Sequence, residues 1–118
     1  MDDETAVSNV IRHFLMLKGY EVKVTSDGTE TIEAYMRARE GDNPFDLVIL
    51  DLTIPGGMGG LEAMEKLVKS DPHVKAIVSS GYSKDPVIHD YKNYGFKGVL
   101  IKPYKVEELE EMVEKTLA

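Results

Sequence analysis

The chain has 118 residues, 42% of them hydrophobic and 30% charged, which is ordinary for one globular domain with a single core. Its net charge of −7 argues against non-specific binding to nucleic acid or anionic membranes, and the absence of cysteine excludes disulfides and thiolate metal sites. No apolar run reaches membrane-spanning length and no signal peptide is visible, so the cytoplasm is the expected location.

The first part of the chain predicts a helix, a strand and a second helix. Apolar residues at helical spacing between positions 7 and 17 predict the first helix, which Gly19 ends. Residues 20–24 alternate between apolar and polar side chains and predict a strand. A turn at 26–29 offers several N-caps for the second helix, which ends near Gly41.

The central strand is predicted at residues 47–50, a wholly apolar run that is typical of a parallel strand buried on both faces. It ends on Asp51, and Pro55 and a glycine-rich loop at 56–60 follow. Ligands of open parallel sheets bind just beyond the carboxyl ends of the strands, which is where Asp51 would lie. By itself, however, an aspartate there can equally well cap a turn or a helix.

The second half of the chain continues to alternate helices with strands. Helical spacing predicts a third helix over 61–68, a shorter fourth helix around 87–91 and a last helix over 106–117. Short apolar runs at 76–79 and 99–101 predict two more strands. This order predicts right-handed strand–helix–strand units, and therefore an α/β fold with a parallel sheet and five helices.

Polar residues follow several of the predicted strands and should share one edge of the sheet. They are Asp2 and Asp3, Asp51, Ser80 and Lys102. Three carboxylates at one edge repel each other unless a hard cation lies between them, and Mg²⁺ prefers such oxygen ligands. A carboxylate beside Mg²⁺ can attack phosphorus, and a transferring phosphoryl group needs donors such as a hydroxyl and an ammonium.

Each of these signals is weak when it is taken alone. Acidic residues near a terminus are usually solvated, a serine before glycine is usually a turn residue, and a single lysine usually lies on the surface. Lys102 followed by Pro103 is more informative, because the bond between them can be cis, which would set the direction of the lysine. The ordered recurrence of polar groups at strand ends predicts a site.

From Asp2 to its end the chain resembles a response-regulator receiver domain, the phosphoacceptor module of two-component signalling. The matching motifs are Asp2-Asp3-Glu4, Asp51 with Pro55 and Gly60 after it, Ser80-Gly81 and Lys102-Pro103-Tyr104. The amino-acid sequence at residues 51–60 and 79–82 is similar to that of receivers at the ends of hybrid sensor histidine kinases. The resemblance implies a flavodoxin-like, doubly wound parallel sheet of order 2-1-3-4-5 with five helices.

The resemblance also implies roles for single residues. Asp51 matches the phosphorylated aspartate, and Asp2 and Asp3 match the acidic pair that binds Mg²⁺ together with Asp51. Thr53 matches the position whose backbone carbonyl is a metal ligand. Ser80 matches the switch hydroxyl, and Lys102 the lysine that pairs with the phosphoryl group.

The function that the resemblance implies is a non-enzymatic signalling domain. It would take a phosphoryl group from a histidine kinase or a histidine phosphotransfer protein and would bind neither nucleic acid nor membrane. Whether the domain is freestanding or fused to a sensor kinase stays open.

Three departures from the family pattern stand out. No apolar strand precedes the acidic pair, the loop after Pro55 is about one residue longer than in many single-domain members, and the aromatic switch position on the last strand is Val99. Tyr82 and Tyr104 are the nearest aromatic residues, and both are expected to be packing residues.

In the family's strand order, the missing first strand would be an interior strand. The chain is predicted to be a single receiver domain over 1–118, truncated at or just after that strand. Residues 22–24 and 47–50 would then carry unpaired backbone groups across a gap. Either an apolar strand lies upstream of Met1 in the natural protein, or the sheet closes, or another chain fills the gap; the first option is favoured, because an internal methionine can be taken for a start.

Two other functions remain open. One is a degenerate receiver that only binds proteins, which the missing strand favours and the complete set of polar residues disfavours. The other is a phosphatase of the haloacid-dehalogenase type, which also uses an aspartate and Mg²⁺. That class needs a second aspartate two residues after the nucleophile, where this chain has Thr53, and a cap domain for which the chain has no room.

Overall fold

The computed structural model describes residues 1–118 as five α-helices, one 3₁₀-helix and a parallel sheet of three strands. The helices are α1 (Thr5–Leu17), α2 (Gly28–Glu40), α3 (Gly60–Ser70), α4 (Pro86–His89) and α5 (Val106–Leu117), and the 3₁₀-helix is Tyr91–Tyr94. The strands are β1 (Val48–Asp51), β2 (Ala76–Ser80) and β3 (Gly98–Ile101). No helix combines the length and the apolar character that crossing a membrane requires.

The three strands run parallel in the order β1-β2-β3, and every residue of β2 is buried. Helices cover both faces of the sheet, as expected for a doubly wound fold. On one face, Met64 and Leu67 of α3 pack in the larger hydrophobic cluster. On the other face, Leu15 of α1 and Leu109 of α5 pack against Ile77 of β2. The predicted fold class and the five helices are confirmed.

The strand predicted at residues 20–24 is wrong. The segment is neither a strand nor a helix, and residues 21–24 make no backbone hydrogen bond. Their alternation is that of a strand, but a strand needs a neighbouring strand to pair with, and within residues 1–118 none lies beside them. The sheet ends at β1, so the alternative in which it closes over the gap is also wrong.

The fourth helix is shorter than predicted. Asp85 caps it by accepting from the Val87 N–H at 2.9 Å, but the α-helix ends at His89 and a 3₁₀ turn follows. That turn ends at Gly95, whose φ of 94° reverses the chain so that it enters β3. The need to return to the sheet within a few residues explains the tighter turn.

Candidate functional site

The carboxyl edge of the sheet holds the predicted polar residues. Asp51 ends β1, Ser80 ends β2, and Lys102 directly follows β3. Asp2 and Asp51 are buried, with 7% and 6% of their surface exposed, whereas Asp3 is exposed. One carboxylate oxygen from each of the three aspartates lies within 4.8 Å of the other two. The structure therefore places the acidic pair beside Asp51.

Asp2 reaches this edge because the first two residues act as the end of a strand. The Met1 ammonium donates to the Ile49 carbonyl at 2.7 Å, and the Asp51 N–H donates to the Met1 carbonyl at 3.1 Å. On the other side, the Asp2 N–H donates to the Thr25 carbonyl at 3.1 Å. This role of Met1 could not be predicted from the sequence, because backbone hydrogen bonds do not depend on residue type.

Lys102 forms hydrogen bonds with two of the three carboxylates. Its Nζ donates to Asp2 Oδ2 at 2.6 Å and to Asp51 Oδ2 at 3.1 Å, and Glu4 Oε1 lies 4.0 Å away. Burial lowers the pKa of Lys102, but the hydrogen bonds and charges of Asp2 and Asp51 outweigh that effect and raise it to about 12. The peptide bond between Lys102 and Pro103 is cis, which the Lys-Pro sequence had indicated as possible.

Burial raises the pKa of Asp51, although the hydrogen bond and charge of Lys102 oppose this and the charge of Asp2 adds to it. The other carboxylate oxygen, Oδ1, accepts weakly from the Thr53 N–H at 3.4 Å. Thr53 itself is exposed beside the site. Since burial disfavours the charged form of Asp51, an additional cation nearby would stabilise that form, which is the nucleophilic one.

Ser80 is buried at the same edge but points its hydroxyl to the next loop. Its Oγ accepts from the Tyr82 N–H at 3.0 Å, and no hydrogen bond joins it to Asp51. The Tyr82 side chain is 61% exposed, so its prediction as a packing residue is wrong. Tyr104 does pack, in the cluster between the sheet and α1 and α5, while Val99 is half-buried on β3.

The loop after Asp51 folds back tightly on the end of β1. Pro55 is exposed and precedes Gly56, whose φ of 75° makes the turn. At the far end of the loop the Met58 carbonyl accepts from the Gly28 N–H at 2.7 Å. A Cβ added to Gly60 would lie 2.6 Å from the Asp51 carbonyl oxygen. Glycine is therefore required where α3 begins beside the site.

Replacing Gly60 with alanine is expected to destabilise the chain by about 1–3 kcal/mol, because the new methyl group would overlap the backbone of Asp51. Urea unfolding measures the change. Gly81→Ala is the matched control, since a Cβ there meets nothing within 4 Å, and its effect should stay within about 0.5 kcal/mol. Equal effects of the two substitutions would contradict the close packing of the loop.

The donor set fits a hard divalent cation. Three carboxylates converge within 4.8 Å, two of them buried, and only Lys102 forms ion pairs with the buried two. Carboxylate and carbonyl oxygens suit Mg²⁺, and the site contains no softer ligand from cysteine, which the chain lacks. Asp2, Asp3 and Asp51 are thus the side chains able to hold such an ion.

Comparisons with known proteins identify the family of the chain. The family model of the response regulator receiver domain matches residues 1–114. A chemotaxis protein CheY of Treponema pallidum is 31% identical over 118 residues, which cover 99% of this chain and 79% of that protein.

Two solved structures share the fold. A CheY-like response regulator receiver domain protein from Methanospirillum hungatei is 28% identical with a TM-score of 0.82, and covers 98% of this chain and 88% of its own. The response regulator TrrA from Thermotoga maritima, in complex with Mg²⁺-BeF, is 28% identical with a TM-score of 0.81 and covers 98% and 94%. The chain belongs to the response regulator receiver domains of two-component signalling, with the CheY-like flavodoxin fold.

Proposed function

We propose that this domain accepts a phosphoryl group from a phosphohistidine donor onto Asp51, with Mg²⁺ as cofactor, and changes conformation to pass on a signal. One observation carries the proposal. The carboxylates of Asp2, Asp3 and Asp51 meet within 4.8 Å, and Lys102 Nζ contacts two of them. No other cluster of three acidic or histidine side chains in the chain has ligand atoms so close together.

The transfer needs a carboxylate nucleophile and a way to offset charge. An Asp51 carboxylate oxygen forms a bond to phosphorus while the bond between phosphorus and the donor imidazole nitrogen breaks, and the histidine is left neutral after taking up a proton. Mg²⁺ bound by the aspartates supplies positive charge for the phosphoryl oxygens. The Lys102 ammonium, already 3.1 Å from Asp51 Oδ2, supplies a second cation on the side of β3.

The partner is a histidine kinase or a histidine phosphotransfer protein, which the chain contacts in the cytoplasm, where ATP is the source of the phosphoryl group on such donors. The domain itself is not an enzyme acting on other substrates. Thr53 lies where a phosphatase of the haloacid-dehalogenase type requires its second aspartate, so the site lacks a general acid for that chemistry. A purely protein-binding receiver would not need three carboxylates within 4.8 Å of one another and a lysine bonded to two of them.

The test is intact mass measurement after incubation with acetyl phosphate and Mg²⁺. The chain should gain the mass of one phosphoryl group, and chelation of Mg²⁺ should prevent the gain. A chain that is folded by circular dichroism and gains no mass would overturn the proposal.

Mg²⁺ affinity is expected to depend on Asp3, although this residue is exposed. Asp3→Ala removes one of the three carboxylates and should weaken Mg²⁺ binding by at least about tenfold in a calorimetric titration. Without metal, its stability should be unchanged or higher, because the substitution relieves repulsion among the carboxylates. Asp42→Ala, an exposed aspartate distant in sequence, is the matched control; equal affinity of both variants would exclude a ligand role for Asp3.

The conformational change is expected to start at Ser80. A phosphoryl group on Asp51 offers acceptors that can draw the Ser80 hydroxyl inward, away from the Tyr82 N–H that it now accepts from at 3.0 Å. Val99 has no ring to swing into the vacated space, so the change should be confined mainly to the following loop. NMR shifts on adding beryllofluoride should cluster at residues 79–88; large shifts confined to α1 and α2 would contradict this.

A further inference from the structure

Two buried threonines meet where α2 begins. Thr25 precedes the turn that leads into this helix, and Thr31 lies near the start of the helix. Each is only 7% exposed, and their hydroxyl oxygens lie 2.6 Å apart. Buried hydroxyls need hydrogen-bond partners, and here the two side chains supply a partner to each other.

The direction of this hydrogen bond follows from a second one. The Thr31 hydroxyl donates to the Asp27 carbonyl at 2.8 Å. Because a hydroxyl carries a single hydrogen, Thr31 can only accept from Thr25, and the Thr25 hydroxyl is the donor. The Thr25 side chain is therefore fixed to the first residues of α2, where Asp27 also caps the helix by accepting from the Glu30 N–H at 2.9 Å.

The backbone of Thr25 in turn holds Asp2, because its carbonyl accepts from the Asp2 N–H at 3.1 Å. The carboxylate of Asp2 has other partners: it accepts from Lys102 Nζ at 2.6 Å and from the Glu4 N–H at 3.0 Å. Those contacts orient the carboxylate, whereas the contact with Thr25 sets the position of the Asp2 backbone. A displacement of Thr25 would therefore move the Asp2 carboxylate relative to Asp51.

The same turn also contacts the loop after Asp51. The Gly28 N–H donates to the Met58 carbonyl at 2.7 Å, and a Cβ added to Gly28 would lie 2.7 Å from Met58 Cγ. The backbone and the side chain of Met58 thus pack directly on the residue that begins α2. Residues 25–31, which we call the α2 turn, are therefore connected both to Asp2 and to the loop that carries Thr53.

We propose that the hydroxyl pair of Thr25 and Thr31 is a positioning element for Mg²⁺ binding, which acts on Asp2 through the Thr25 carbonyl. Neither threonine contacts the ion or the phosphoryl group. The pair fixes the Thr25 carbonyl to the α2 turn, so that the Asp2 carboxylate is held beside Asp51 before the ion binds. Hydrogen bonds that orient metal ligands in advance raise metal affinity. This inference rests on the proposed function, because it assigns two further residues to the same Mg²⁺ site.

Thr25→Val removes one hydroxyl, keeps the shape of the side chain and leaves the hydrogen bond from Thr31 to Asp27 in place. The variant should bind Mg²⁺ about three- to tenfold more weakly than the natural sequence in a calorimetric titration. In the reaction with acetyl phosphate, the Mg²⁺ concentration that gives half of the maximal rate should rise by the same factor. The rate at saturating Mg²⁺ should be unchanged, because Asp51 and Lys102 are intact.

A measurement without metal tests the positioning of Asp2 directly. In NMR hydrogen exchange on the metal-free chain, the Asp2 amide should exchange several-fold faster in Thr25→Val, because its acceptor is no longer fixed to α2. Thr25→Ser keeps the hydroxyl and should restore both the Mg²⁺ affinity and the slow exchange. Thr116→Val is the matched control, since it removes a half-buried hydroxyl that donates to the Met112 carbonyl at 2.7 Å in the last turn of α5. It should change neither quantity.

Double variants show whether the threonine acts through Asp2. In an Asp2→Ala background, adding Thr25→Val should cause no further loss of Mg²⁺ affinity, because the ligand that Thr25 positions is already absent. In an Asp3→Ala background the full loss should remain. A full loss in both backgrounds would show a general loosening of the site and would overturn the proposal.

The proposal is also wrong if Thr25→Val has the Mg²⁺ affinity and the Asp2 exchange rate of the natural sequence, or if Thr25→Ser loses as much affinity as Thr25→Val. If Thr25→Val does not fold, Thr31→Val and Thr31→Ser form the equivalent pair, because they remove and keep the other hydroxyl. Failure of the natural sequence to bind Mg²⁺ would instead overturn the proposed function. The exchange rates of the metal-free chains would then still decide whether the hydroxyl pair holds Asp2.

Discussion

Asp51→Asn is expected to abolish phosphorylation completely, so that the variant gains no phosphoryl mass with acetyl phosphate and Mg²⁺ under conditions that modify the natural sequence. The asparagine amide keeps the shape of the side chain but cannot act as the nucleophile. Asp51 is the only one of the three converging carboxylates that ends a strand of the sheet and also contacts Lys102 Nζ, at 3.1 Å. Asp2 contacts Lys102 as well, but from the segment before α1.

A control is available at the other end of the same strand. Asp46 precedes β1 and is exposed, so Asp46→Asn removes the same charge from the chain without touching the carboxyl edge. It should be phosphorylated at the rate of the natural sequence. Phosphorylation of Asp51→Asn at the rate of the natural sequence would contradict the assignment of Asp51 as the phosphoacceptor.

Lys102→Met is expected to cause the largest loss of stability at the site, about 3 kcal/mol near neutral pH. The lysine is 19% exposed and neutralises two buried carboxylates, and removing one partner of a buried ion pair leaves uncompensated charge. Urea unfolding measures the loss. Lys84→Met, at an exposed position, is the matched control and should change the stability by no more than about 0.5 kcal/mol.

The loss in Lys102→Met should depend on pH and on Mg²⁺. The pKa of Asp51 is already raised in the folded chain, and without Lys102 it rises further. A carboxyl with a raised folded pKa destabilises the fold when ionised, and this cost disappears as the pH falls through that pKa. The difference between variant and natural sequence should therefore shrink at mildly acidic pH, and also when Mg²⁺ is added at neutral pH. A loss that is the same under all three conditions would show that it comes from packing and not from charge.

The sequence predicted those parts of the fold that depend on local pattern. Continuous apolar runs located β1, β2 and β3. Asp51, which ends β1, and Lys102, which follows β3, lie at the shared edge where parallel strands end. The alternating pattern at residues 20–24 did not predict the structure correctly, because pairing in a sheet depends on a neighbouring strand and not on the segment itself.

Structural details that depend on backbone contacts could not be predicted from the sequence. Nothing in the residue type of Met1 indicates that its ammonium bonds to Ile49 and holds Asp2 at the site. Likewise, the direction of the Ser80 hydroxyl depends on the loop conformation that brings the Tyr82 N–H within 3.0 Å. Tyr82, predicted to be a packing residue, lies in a loop that leaves it exposed.

The most direct measurement is to locate the phosphoryl group on the chain. After incubation with acetyl phosphate and Mg²⁺, borohydride reduces an aspartyl phosphate to homoserine, which peptide mass spectrometry assigns to one position. Homoserine at position 51 alone is the predicted result. Homoserine at Asp2 or Asp3, or a phosphorylated chain that borohydride does not change, would contradict Asp51 as the phosphoacceptor.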